Sequence, residues 1–368
     1  TTGLANTAIG YNALSGDDGH GYNTAVGHGA LKVQDAGANA YNVAVGASAG
    51  LSVTTGLSNT LIGGQAGDAL TTGSENIAIG RQALTTEDTG NKSVAVGNGA
   101  LASQNYDGDA FNVAVGHATG YSITTGVQNI ILGGNAGDAL TTGSNNIAIG
   151  YRALTSEDAH GRNVAIGQDA LFALNAGANA LNVAIGFETG KSITTGDRNT
   201  LIGSLVADSL TTGQYNIAIG YQALASEDVG SRAVGIGYQA LYSQNNSTST
   251  DTYNVALGFQ AGYAVTTGTS NILVGGFAGD ALTSGSHNIA IGLFALSTED
   301  QGDRNVAIGY EALKTQNVDG NAYNVAVGHS AGKEVTTGTA NTIIGGLAGD
   351  ALTTGVHNTV VGYAALTN

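Results

Sequence analysis

The sequence runs to 368 residues, 59 of them Gly, with no Pro, Cys, Met or Trp and a formal net charge of −16. The missing cysteines exclude disulfides and thiolate metal sites. With 27 Asp and Glu against 11 Lys and Arg, there is no basic surface for nucleic acid or for an anionic membrane. No apolar run approaches the ~18 residues of a membrane span, while 42% apolar residues in strict periodicity point to a packed structure and not to disorder. The chain starts and stops inside a repeat and has no initiating Met, so it is read as a section of a longer or processed protein.

From the first residues onward one phrase recurs, N-x-A-I-G with conservative variants, closing at Gly10, Gly27 and Gly46 and so on to Gly345 and Gly362, 21 times in all. Most intervals equal that from Gly63 to Gly80; four are two positions longer, and one, Gly237 to Gly258, is four longer. A period of this kind marks stacked structural repeats. From Gly46 the turns group in fours: Gly46 to Gly116, Gly116 to Gly186 and Gly258 to Gly328 are equal in length, and Gly186 to Gly258 is two positions longer. The first turn of a block reads NVAVGHATGYSITTG (112–126) and the second NTLIGGQAGDALTTG (59–73). The third reads NIAIGYRALTSED (146–158). The fourth reads NVAIGYEALKTQN (305–317) and carries the longer loop.

Within each phrase, positions two and four are β-branched or Leu, as in Val43 and Val45, Ile77 and Ile79, or Val183 and Ile185. Residues two apart share one face of a strand, and branched side chains suit it. No 3.6-residue period competes. After the glycine comes a short extended stretch, then T-T-G or E-D-x-G, whose residues accommodate tight turns. The expected fold is all-β: a parallel β-solenoid, or β-roll, of about 21 rungs of 17–21 residues, one continuous repeat region over 1–368. At ~4.8 Å per rung it would be a rod of roughly 100 Å. The leading asparagines (Asn42, Asn59, Asn76, Asn112, Asn129, Asn146, Asn163 and Asn182 among them) are expected to stack as an amide ladder, with Ser93 and Ala233 as its two departures. The third motif position is Ala in most turns, and Leu61, Ile131, Leu201, Leu273 or Ile343 in the second turn type. A strand apolar on both faces is buried on both. The β-branched face is therefore assigned to the core of the solenoid and the Ala face to contact with another chain.

The stretch TTGSNNIAIGYRAL (141–154) resembles the repeats of phage tail fibres and related surface proteins, and more distantly those in the head domains of trimeric autotransporter adhesins. The resemblance covers essentially the whole chain. It implies a homotrimer, an extracellular, cell-surface or virion location, and a role as the structural shaft and display section of a fibre. An adhesin head that binds a host-surface glycan or protein is the alternative, and a calcium- or ice-binding solenoid ranks lower. No enzymatic activity and no cofactor are expected.

Several residue sets bear on chemistry. Gly63–Leu70 is similar to a calcium-binding nonapeptide, but Asp68, Asp138, Asp208, Asp280 and Asp350 recur only every fourth turn, so they read as turn-capping carboxylates and weak calcium candidates. The acidic pairs Glu87/Asp88, Glu157/Asp158, Glu227/Asp228 and Glu299/Asp300 read as ordinary surface turns. The seven His, including His20, His28, His117 and His329, show no metal-binding spacing. Paired Thr in T-T-G would suit ice binding only if the array were continuous. The fourth-turn loops hold the candidate recognition residues Asp107, Asn179, Asn246, Asp251 and Asp319, because loops on a rigid scaffold commonly carry recognition. Each such loop ends in Tyr, Phe or Leu, expected to act as an apolar plug.

Overall fold

The computed structural model describes residues 5–17 and 21–367. The chain forms two compact units, Thr1–Leu181 and Asn182–Asn368. Both are parallel β-solenoids, and no helix occurs among the described residues. In the first unit ten three-residue strands run from Thr7–Ile9 to Val164–Ile166; in the second, eleven run from Val183–Ile185 to Thr359–Val361. Successive strands pair in register, motif position on motif position: Val43 with Thr60, Ala44 with Leu61, Val45 with Ile62. Two-residue strands at Gly302–Asp303 and Gly320–Asn321 pair beside the second unit's ladder.

The strands are short because each turn of chain bends twice within a few residues. In the first bend the N–H of Ala49 donates to the carbonyl of Gly46 at 3.3 Å, and in the second the N–H of Val53 donates to Gly50 at 3.1 Å. Each bend needs a left-handed residue. In the first it is Ser48 (φ 59°), Gln82 (φ 58°) or their equivalents; in the second it is a Gly such as Gly50 or a Leu such as Leu84 (φ 53°). Non-glycine residues are disfavoured there. They are held by the hydrogen bonds that every side of the turn makes to the next turn, for example Leu84 N–H to Ala100 O at 3.0 Å. The motif glycine is less replaceable. Gly80 has φ 135°, and a Cβ on it would lie 2.3 Å from the carbonyl oxygen of Gly97, a backbone state reserved to glycine.

The core reverses the face assignment made from the sequence. Past the first strand, where Ala8 is exposed, the third motif position is buried inside each solenoid, as at Ala44, Leu61, Ala78 and Ala95. The β-branched pair points outward and is half-buried to exposed, with Ile62 37% and Ile77 38% accessible. The Ala face is therefore no interchain surface. So short a turn encloses so little volume that Ala fits inside most turns, with Leu or Ile where space is left, and the branched pair goes out.

That same volume limit accounts for the four-turn block. Turns of the third and fourth type place Leu at the second bend (Leu84, Leu101) opposite Ala at the strand centre, whereas turns of the first and second type place Gly there, with Ala207 the one exception. Leu61 fills the resulting space. A Cβ on Gly50 would come 2.7 Å from its Cδ1, and one on Gly67 would come 2.8 Å from its Cδ2. Ile131, Leu273 and Ile343 stand in the same relation to Gly137, Gly279 and Gly332. Close packing of this kind fixes which turn can follow which.

Candidate functional site

The motif asparagines line the interior. Asn42, Asn59, Asn76, Asn112, Asn129, Asn146, Asn163 and Asn182 are all fully buried. Along the ladder the side-chain carbonyl receives the backbone N–H of the motif residue one turn on, as Asn42 Oδ1 does from Asn59 at 2.8 Å. The amide reaches a turn carbonyl, as Asn59 Nδ2 does to Gly73 O at 2.8 Å. At the departures, the N–H groups of Ser93 and Ala233 still donate to Asn76 and Asn216.

Beyond each motif glycine, at the second bend's close, a second interior column runs past the core. Its members cycle through the block as Val53, Leu70, Glu87 and Gln104, all with no accessible surface. The glutamates of the acidic pairs are thus core residues and not part of ordinary surface turns. Glu87 Oε1 accepts from Gly90 N–H at 2.8 Å, and its Oε2 accepts from Gln104 Nε2 at 2.9 Å and from Tyr106 N–H at 3.3 Å. Gln104 in turn accepts from Asn112 Nδ2 at 2.9 Å. Glu227 and Glu299 repeat the chain: Gln244 donates to the first and Gln316 to the second, each at 2.8 Å. A buried carboxylate stays charged only when donors surround it, and the following turn supplies them. One block departs. There Leu174 stands where the others have Gln, and Glu157 Oε2 has no partner. Desolvation then pushes the Glu157 carboxyl above the usual range, while the backbone N–H groups of His160 and Ala176 and the His160 ring draw it partly back. The signal for this column in the sequence is a Glu followed one turn later by Gln, which reading the acidic pairs as turns overlooks.

The calcium candidates stand one to a block. Thr85 Oγ1 donates to Asp68 Oδ1, and the Oδ1 atoms of Asp138, Asp280 and Asp350 have no partner. Burial raises the carboxyls of Asp138, Asp208 and Asp280 above the usual range, the last to about 6. A calcium ion takes six to eight oxygens, and one carboxylate every four turns, ~19 Å apart at the usual strand spacing, supplies no such cage. In T-T-G the first threonine hydroxyl is engaged with the next turn, as Thr54 is to Thr71 O at 3.1 Å.

Of the loop residues, Asn246 is turned inward, and its N–H and Nδ2 both donate to Glu227 at 3.2 Å. Asp107 accepts from Thr89, and Asn179 Oδ1 from Gly161 N–H at 3.1 Å. Asp251 pairs with Arg232, and Asp319 is exposed. The loop-closing aromatics are not plugs: Tyr41, Phe111, Tyr253 and Tyr323 are 50–55% accessible, and the buried residue is the one before each, Ala40, Ala110, Thr252 and Ala322. Those aromatics join outward columns. Arg198, Tyr215, Arg232 and Tyr253 alternate at 5.3–5.9 Å, a cation–π ladder, of which Tyr215 and Arg232 border a groove that also includes Thr195, Ser249 and Asp251. Tyr221, Tyr238 and Phe259 stack at 5.6 and 5.1 Å. His28 and His329 stack on Tyr11 and Tyr310, His117 is exposed, and His20 lies outside the described residues. No helix among the described residues is long and apolar enough to cross a membrane.

No family model matches the sequence, and no curated protein matches it.

Proposed function

We propose that this chain is the shaft and display section of an extracellular fibre, a homotrimer of the kind that phage tail fibres build, on a virion or cell surface. The supporting observation is the outward row of branched side chains. In the second unit alone Ile202, Ile217, Leu257, Ile272, Ile291 and Ile344 are each 36–41% accessible, and all lie on the strand face that nothing in their own chain covers. A continuous apolar surface of this extent marks an association face, and identical turns stacked in register suit identical partners along their whole length. The repeated interior hydrogen bonds support a mechanical role more than a reaction centre, because nearly the same arrangement recurs from block to block.

Light scattering on the purified chain tests this reading. A mass three times that of the chain is expected, falling to the monomer in Ile272→Glu with the β-type circular dichroism unchanged. A monomeric parent chain would refute the association face.

The second reading, an adhesin head that holds a host glycan, rests on the groove beside Tyr215 and Arg232. Its exposed ring and polar walls suit a saccharide. Loss of glycan-array binding in Tyr215→Ala with the oligomer intact would favour it.

A further inference from the structure

One block breaks the interior pattern at two positions together. Three other blocks carry Gly (Gly90, Gly230, Gly302) after the acidic pair where this block carries His160, a position that His20 holds in the first turns of the chain; where the other blocks carry Gln on the next turn (Gln34, Gln104, Gln244, Gln316), this block carries Leu174. The first change adds a ring nitrogen beside Glu157, and the second removes the donor that would have occupied Glu157 Oε2. One carboxylate oxygen of Glu157, one of Asp158 and a ring nitrogen of His160 lie within 4.8 Å of one another. Glu157 is fully buried, and its Oε2 has no hydrogen-bond partner of good geometry, the Ala176 N–H acting on the carboxylate only at longer range. His160 Nδ1 makes no well-aligned hydrogen bond and lies 3.4 Å from Glu157 Oε1, an ion-pair contact when the ring is protonated. Asp158 is exposed.

We propose that Glu157, Asp158 and His160 form a binding site for a single divalent transition-metal ion of the zinc type. Imidazole with two carboxylates is a donor set that such ions accept at about 2.0–2.2 Å. Calcium and magnesium, which favour all-oxygen shells, are disfavoured by the ring nitrogen. Three protein donors leave at least one position for water or an exogenous ligand. The ion would neutralise a carboxylate that the other blocks neutralise with Gln, Gly and loop N–H groups. Among the described residues this grouping occurs once.

Calorimetric titration of the full-length chain with zinc chloride tests this, with cobalt(II) absorption as an independent report on ligand geometry. One ion per chain is expected. His160→Gly introduces the residue found at Gly90, Gly230 and Gly302 and should weaken binding at least tenfold. Leu174→Gln restores the missing donor, keeps the turn folded and should also weaken binding, because Glu157 Oε2 is then occupied; it decides the matter should His160→Gly fail to fold. No zinc uptake by the parent chain, or uptake unchanged in both variants, would overturn the proposal and leave His160 as an ionic partner of Glu157.

Discussion

Replacing Gln104 by Leu isolates what the interior glutamate column contributes. Leu already occupies the equivalent place at 174 with no accessible surface, so the side chain fits. The variant removes the 2.9 Å bond to Glu87 Oε2, leaving Tyr106 N–H at 3.3 Å as that oxygen's remaining donor. Asn112 Nδ2 keeps its bond to Gly126 O at 2.7 Å. A hydrogen bond to a buried charge contributes about 1.5–3 kcal/mol, so a local cost of about 2 kcal/mol is expected near neutral pH. That corresponds to roughly 30-fold faster exchange of the Gly90 amide, which Glu87 holds. Removing both partners, in Glu87→Leu/Gln104→Leu, should cost less than removing Gln104 alone, because no stranded charge remains. Hydrogen exchange on the full chain reads both. Gly90 exchange within twofold of the parent, or a double variant worse than the sum of its singles, would refute the reasoning.

Three further outcomes are expected. Gly80→Ala should destabilise its neighbourhood by about 3 kcal/mol or more, since the new Cβ meets the Gly97 carbonyl in a backbone state that alanine avoids; unchanged exchange at Gly97, whose N–H bonds Ile79 O at 2.7 Å, would contradict that. Asp280→Asn should become relatively more stable than the parent as pH rises from 4 to 7. Burial holds the native carboxyl at about 6, so its favourable contribution is present below about 3.8 and gone above about 6; with partial solvent screening the difference is about 1 kcal/mol. Exchange of Ala264, bonded to Asp280 O at 2.9 Å, is the local readout. In Ile272→Glu, the loss of association should steepen at low salt, where like charges brought together on neighbouring chains repel over a longer range.

The solenoid was legible in the sequence because its two signals are strong: a glycine that returns at near-constant spacing, as at Gly63, Gly80 and Gly97, and an asparagine at a fixed offset before it, as at Asn59 and Asn76. The pairing register follows from those two columns alone. The direction of the strand faces was not legible, because Ala and Val are both apolar, and only the volume that so short a turn encloses decides which of them goes in. The glutamate column was hidden for a related reason. A charged residue beside Asp and Gly looks like a solvated turn until the glutamine one turn further on is seen to meet it. Leu174 carried the clearest unread signal, the one break in the Gln series, set in the same block as His160 at positions that bear on the same carboxylate.

The exchange of bulk between Leu61 and the glycines around it also sets how the protein can change length. A turn of the second type fits between a neighbour whose bend is Gly and one whose bend is Leu, so removing that turn alone leaves the space over Gly50 unfilled. Excising a whole block restores every junction, since each cut end meets the same kind of turn it met before. Such a chain can lengthen or shorten by recombination only in steps of four, with the packing inside the solenoid acting as the ruler.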